Sequence, residues 1–199
     1  MWPDNTYNLK LMRGLAEFDV RRRLVGSFVY ELPFGTSKRC LNQGALSYIV
    51  GGWNVGGIVT LADGTPVNAS QLGDTAGLGV LNNQIDATGI SPIPSNRSAQ
   101  NFWNIAAFDA TNPNLAWQPR NMGRNTLFAP GLSVLDTSLY KAFRIRESHT
   151  FQIRFEAFNT LNHPNWNPPS SNPLVPSTFG VITSAREMRE LQFAVKYLF

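Results

Sequence analysis

Apolar and polar residues alternate along five segments of this chain, and this period of two predicts β-strands with one apolar and one polar face. The clearest segment is 149–160, where large apolar residues alternate with Gln152, Arg154 and Glu156. The third segment is less regular, because Lys141 falls on its apolar face near the end. The predicted strands cover about residues 22–32, 52–62, 133–143, 149–160 and 189–199.

The last three connections between these segments are long, short and long. Residues 63–132 form a very long loop, residues 144–148 a tight turn, and residues 161–188 a long segment rich in Asn and Pro. Up-and-down membrane barrels have short periplasmic turns and longer extracellular loops. The pattern therefore predicts an all-β fold, an antiparallel up-and-down meander of about five strands that is part of a transmembrane β-barrel with long loops. The first connection, 33–51, is longer than a typical periplasmic turn.

The two faces of each strand are expected to meet different surroundings. In a barrel the apolar faces form one surface that turns toward lipid, and the polar faces line the lumen. A secreted or periplasmic β-sandwich is the alternative, and it would bury the apolar faces between two sheets. The common apolar surface is expected to include Phe28, Tyr30, Val55, Val59, Phe151 and Ile153. The lumen-facing candidates are Glu31, Asn54, Arg154, Glu156 and Lys196.

Composition narrows the class of protein. Charged residues make up only 15% of the chain, against about 25% in soluble domains, so the surface is poor in charge. The net charge is +4 and the only dense basic run is Arg21, Arg22 and Arg23, so we expect no nucleic-acid partner. The longest nearly apolar run, 48–62, is too short and too rich in glycine to span a membrane as a helix, which needs about 20 residues.

Few residues of this chain suit enzyme chemistry. Cys40 is the only cysteine, which leaves no intrachain disulfide and no thiolate metal cluster. His149 and His163 are the only histidines, and a shared metal site would need them to converge. No phosphate-binding loop, nucleophile elbow or Cys-x-x-Cys motif is present. We expect no enzyme activity, catalytic residue, metal or cofactor. For the β-sandwich alternative, the Asn-rich loop with Trp103 and Trp117 is the glycan-binding candidate.

The last predicted strand has a second pattern. Its alternate positions are apolar and the last of them is aromatic: Leu191, Phe193, Val195, Tyr197 and Phe199. This resembles the assembly signal of bacterial outer-membrane proteins. Such a strand is captured through its free backbone groups, and the resemblance implies the barrel-assembly machinery as a partner.

Short motifs along the rest of the chain occur in a specific order. They are EFDVR at 17–21, YELPFG at 30–35, GW at 52–53, DGTP at 63–66, GRN at 123–125, PG at 130–131, DTSLYK at 136–141, RFEAFN at 154–159 and NHP at 162–164. Together they resemble the second half of the barrel of Oar-like TonB-dependent transporters. The resemblance implies that residues 1–199 are the C-terminal segment of such a barrel, a fragment that carries substrate across the outer membrane of a Gram-negative type of cell.

The resemblance also implies the partners of the protein. These are outer-membrane lipid and lipopolysaccharide, and TonB through a plug domain that residues 1–199 do not contain. No basic start and apolar stretch typical of a signal peptide follow Met1. Taken alone this is typical of a cytosolic protein, but because the resemblance implies a transporter whose plug and earlier strands lie upstream, we expect Met1 to be an internal start within a longer reading frame.

Overall fold

A computed structural model of the chain describes residues 9–10, 12–36, 38–41, 43–69, 71–72, 74, 79, 82–110, 121–146 and 149–199. Its elements are β1 (Arg23–Glu31), α1 (Ala45–Val50), β2 (Trp53–Ala62), β3 (Pro66–Val67), β4 (Gln71–Leu72), β5 (Asn82–Asn83), β6 (Asp86–Ala87), a 3₁₀ turn (Ile105–Ala107), β7 (Phe108–Asp109), β8 (Leu127–Phe128), β9 (Leu132–Arg146), β10 (His149–Phe158) and β11 (Glu190–Leu198). Among these residues no helix has the length and apolar character needed to cross a membrane.

Five long strands form one antiparallel sheet in the order β1-β2-β9-β10-β11. Each strand pairs with the next long strand along the chain, which is the usual preference for consecutive strands. The predicted all-β fold, an antiparallel up-and-down meander, is therefore confirmed. β9 runs on to Arg146, and a register shift at His149 and Thr150 marks the start of its pairing with β10.

The register of the sheet brings the five apolar faces to one side. One continuous row of directly paired residues runs across it, through Tyr30, Val55, Leu139, Phe155 and Phe193. Directly paired residues share a face, and alternate residues along each strand do the same. Most of the large apolar side chains of the five strands therefore form one surface, called here the apolar face, although Val29 and Ile58 lie on the other side. The opposite side is called the polar face.

The chain divides into two compact units, and the sheet belongs to the unit of residues 23–62, 132–165 and 187–199. The buried apolar core belongs to the other unit, which consists of residues 1–22, 63–131 and 166–186. Its members in the described residues include Ile85, Phe102, Trp103, Ala107, Phe108, Met122, Leu127, Phe179 and Ile182. The segment predicted as one very long loop thus contains a packed core and the short antiparallel pairs β3/β8, β4/β5 and β6/β7.

Candidate functional site

The apolar face carries several large side chains that other protein atoms leave exposed or only half-buried. Phe28 and Tyr30 are 49% and 56% exposed, while Val55, Val59, Phe151 and Ile153 are half-buried among neighbours of the same sheet. In the described part of the sheet unit, no large apolar side chain is fully buried. A β-sandwich would have buried these residues between its sheets. The exposure therefore speaks against that alternative and fits a surface that meets lipid.

Aromatic rings concentrate on the apolar face toward one end of the strands. The ring centroids of Phe143 and Phe151 lie 6.5 Å apart, and Trp53 begins β2 at the same end of the sheet. Tyr197 stacks on His149 at 5.8 Å, and its hydroxyl is 2.7 Å from the Nδ1 atom. Membrane barrels carry girdles of aromatic residues where the apolar band meets the interface. This cluster has the position and composition of such a girdle.

All five lumen-facing candidates lie on the polar face. Glu31, Asn54 and Arg154 belong to one row of paired residues, and Glu156 and Lys196 occupy the rows on either side of it. Arg154 lies between two partners. Its Nε is 3.5 Å from Oε1 of Glu156, and its guanidinium carbon is 5.5 Å from the ring centre of Tyr140. Glu31 pairs with Lys38 at 2.8 Å. The face thus carries charges of both signs.

The five residues of the expected assembly signal lie along or just after β11, at one edge of the sheet. All five are exposed: Leu191, Phe193, Val195, Tyr197 and Phe199. β11 pairs only with β10 in the described sheet, so its other edge carries free backbone groups.

Several motif residues have structural roles at the ends of strands. The amide of Asn159 donates to Oδ1 of Asp136 at 2.9 Å, and the side chain of Asn159 bonds the backbone of His163 in both directions. Asn159 has a φ of 48°, a left-handed conformation that asparagine tolerates better than most residues. Its side chain is 5% exposed. In the sequence these residues stood out only as part of the resemblance to a transporter family, because neither their types nor their spacing indicated a catalytic or metal site.

The unit with the buried core is tied together in a similar way. Arg124 pairs with Glu17 at 3.2 Å, which joins two motifs more than a hundred positions apart. The side chain of Asn125 is buried and donates to the carbonyl of Leu15 at 2.7 Å. Trp103 is 2% exposed and packs against Phe179, so its ring cannot stack on a glycan. Trp117, the other candidate for glycan binding, lies outside the described residues.

An ion pair forms where β1 begins and β2 ends. Arg22 holds Asp63 through two hydrogen bonds, Nε to Oδ2 at 2.8 Å and Nη2 to Oδ1 at 3.1 Å. This hydrogen bonding lowers the pKa of Asp63 below its usual value and raises that of Arg22. Both residues line an open cleft of about 530 Å³, in which Arg21 stacks on Phe128 at 4.6 Å. The pair lies at the point where the chain enters the long connection.

The structure does not bring the two histidines together. His149 begins β10 and contacts Tyr197, whereas His163 lies in the turn that follows the other end of β10. In the described residues no group of three or more His, Cys, Asp or Glu side chains is placed to hold a metal ion.

A single antiparallel sheet with exposed apolar side chains on one face and charged ones on the other has the features of an outer-membrane β-barrel wall. The chain matches the family model of the outer membrane beta barrel domain over residues 1–192, and it belongs to that family. The protein is therefore located in the outer membrane of the cell. Comparison with curated proteins and with solved structures found no match.

Proposed function

We propose that the chain is part of the barrel of an Oar-like TonB-dependent transporter and that it helps to carry substrate across the outer membrane. The observation that carries the proposal is the polar face, on which the register places Glu31, Asn54, Arg154, Glu156 and Lys196 together. A lumen closed by a plug domain needs a wall with polar and charged groups. Barrels of about 22 strands enclose such a plug.

The order of the sequence motifs gives independent support. Their side chains fix turns and strand ends, as the contacts of Asp136 with Asn159 and of Glu17 with Arg124 illustrate. Residues of this kind set the shape of a wall and its connections. We propose that none of them performs catalysis.

Loop lengths set the proposed orientation. The turn between β9 and β10 is the shortest, so its end of the sheet is periplasmic and the long connections lie outside the cell. The apolar face then contacts outer-membrane lipid along the strands and lipopolysaccharide in the outer leaflet.

The test is crosslinking in cells that express the complete reading frame. A photo-crosslinking residue in place of Glu156, on the polar face, is expected to capture the plug. The complete protein is also expected to form a crosslink to TonB. The same residue in place of Val195, on the apolar face, serves as the matched control and is expected to capture neither. A folded barrel without a plug and without a TonB contact would refute transport through TonB and leave the barrel assignment intact.

We also propose that β11 is recognised by the barrel-assembly machinery. Phe199 is 90% exposed, so its ring contributes little to packing in the described structure. Deletion of Phe199 in the complete protein is expected to lower the amount of folded barrel in the outer membrane, measured by heat-modifiable migration. The control combines the deletion of Phe199 with Leu198→Phe, which restores a Phe as the last residue. Equal folded amounts in wild type and the deletion would remove this role from Phe199.

A further inference from the structure

The connection between β1 and β2 is folded against itself, although it is longer than a typical periplasmic turn. The turn that follows β1 packs on the end of α1, where a Cβ atom on Gly35 would lie 2.5 Å from the Cα atom of Gly51. Gly35 also has a φ of 109°, which other residues rarely adopt. Ser47 is buried and its hydroxyl donates to the carbonyl of Gly44 at 2.8 Å. The position of α1 is therefore fixed.

Two side chains of the apolar face hold the end of α1. Lys141 is 5% exposed, and its ammonium donates to the carbonyl of Ile49 at 3.1 Å and to that of Tyr48. The indole nitrogen of Trp53 donates to the same carbonyl of Ile49 at 3.0 Å. These bonds satisfy carbonyl groups that the end of a helix leaves without partners. They also explain how a lysine occupies the apolar face.

These contacts show on which side of the sheet α1 lies. Lys141 pairs with Trp53 and with Ile153, and its ammonium nitrogen is 4.5 Å from the ring centre of Phe143. All four side chains belong to the apolar face. The C-terminal end of α1 is therefore on the side of the sheet that meets lipid, beside the aromatic girdle.

The outer surface of α1 is apolar and uncovered. Leu46 is 61% exposed, Tyr48 is 75% exposed and Ile49 is 64% exposed. Aromatic side chains such as tyrosine are enriched at membrane interfaces, where apolar side chains can insert into the boundary between headgroups and acyl chains.

We propose that residues 44–53 form an interfacial anchor, in which Leu46, Tyr48 and Ile49 insert into the phospholipid leaflet on the periplasmic side. Phospholipid is the occupant because this surface continues the lipid-facing surface of the strands without a break at Trp53. The proposal rests on the membership of the barrel family and on the proposed orientation, and it does not depend on TonB.

The experiment measures the depth of a fluorophore attached at Tyr48. Cys40 is the only cysteine of the chain, so a Cys40→Ser background allows single labelling. Other cysteines of the complete protein are replaced likewise. Labelled Tyr48→Cys protein, purified from outer membranes and reconstituted, is compared in vesicles whose phospholipids carry bromine at shallow or deep acyl positions. Val195→Cys on the apolar face is the positive control, and Gln192→Cys on the polar face is the negative control.

The label at Tyr48 is expected to be quenched several-fold more by shallow than by deep bromines, whereas the label at Gln192 stays unquenched. No quenching and a water-like emission at Tyr48 would overturn the proposal. A shielded emission without quenching would also overturn it, because a protein would then cover α1. Leu46→Cys provides a second position if Tyr48→Cys fails to fold. Loss of TonB crosslinking with quenching retained would refute the transporter proposal alone.

Discussion

A substitution of Phe193 tests which medium the apolar face contacts. Phe193 lies in the middle of β11, is 59% exposed, and its ring centroid is 5.0 Å from that of Phe155. Loss of one aromatic pair costs about 0.5–1.5 kcal/mol. An arginine on the lipid side of a barrel costs about 2–4 kcal/mol more near the midplane. The change Phe193→Arg is therefore expected to reduce the free energy of unfolding by about 2.5–5.5 kcal/mol.

Two further variants separate the cost of the lost aromatic pair from the cost of the added charge. Phe193→Ala removes the ring without adding charge, and it is expected to account only for the aromatic part. Gln192→Arg places the same charge one residue away on the polar face, opposite Glu156, where we expect little change. The assay is urea unfolding of the reconstituted barrel, with heat-modifiable migration as a check of folding. If Phe193→Arg costs no more than Phe193→Ala, the apolar face meets water and the reasoning fails.

The remaining predictions concern the connections and their core. Trp103→Ala is expected to cost the core about 3–5 kcal/mol, seen as faster proteolysis of the long connection while the barrel stays folded. Gly64→Ala places a methyl group against the backbone carbonyl of Ala129, so we expect less folded protein in outer-membrane fractions. Because its pKa is lowered, the Asp63 carboxylate stabilises the fold fully above its ordinary pKa of 3.8, and this contribution is lost as pH falls below it. A carbon NMR titration of the carboxyl group should show the pKa of Asp63 returning toward 3.8 in Arg22→Gln.

The sheet could be predicted from the sequence because apolar and polar residues alternate along most of each strand. The alternation around Phe155 and Arg154 defines the two faces of β10. Sequential pairing then places the apolar faces of neighbouring strands on the same side. The full length of β9 was harder to predict from the sequence. Ile145 between Arg144 and Arg146 continues the alternation beyond Phe143, but the charged residues around the expected turn hide where pairing stops, and the register shift at His149 leaves no pattern in the sequence.

The core of the connections could not be predicted in the same way. Trp103 and Phe179 come from irregular segments far apart in the chain, so no periodicity links them. The tryptophan was instead a candidate for glycan binding, and its burial excludes this for Trp103. Lys141 stood out as an irregularity of the apolar face, but α1 is only six residues long and gave no helical period to reveal its partner.

The separation of the buried core from the sheet gives the protein two different responses to temperature. The side chains of the core leave water on folding, so their unfolding carries a large positive heat capacity change. With its apolar face toward lipid, as proposed, the sheet would gain less of its stability from the removal of water. Cooling weakens hydrophobic stabilisation in water. We therefore expect cooling to destabilise the core built from the long connections, with Trp103 and Phe179 in it, more than it destabilises the sheet.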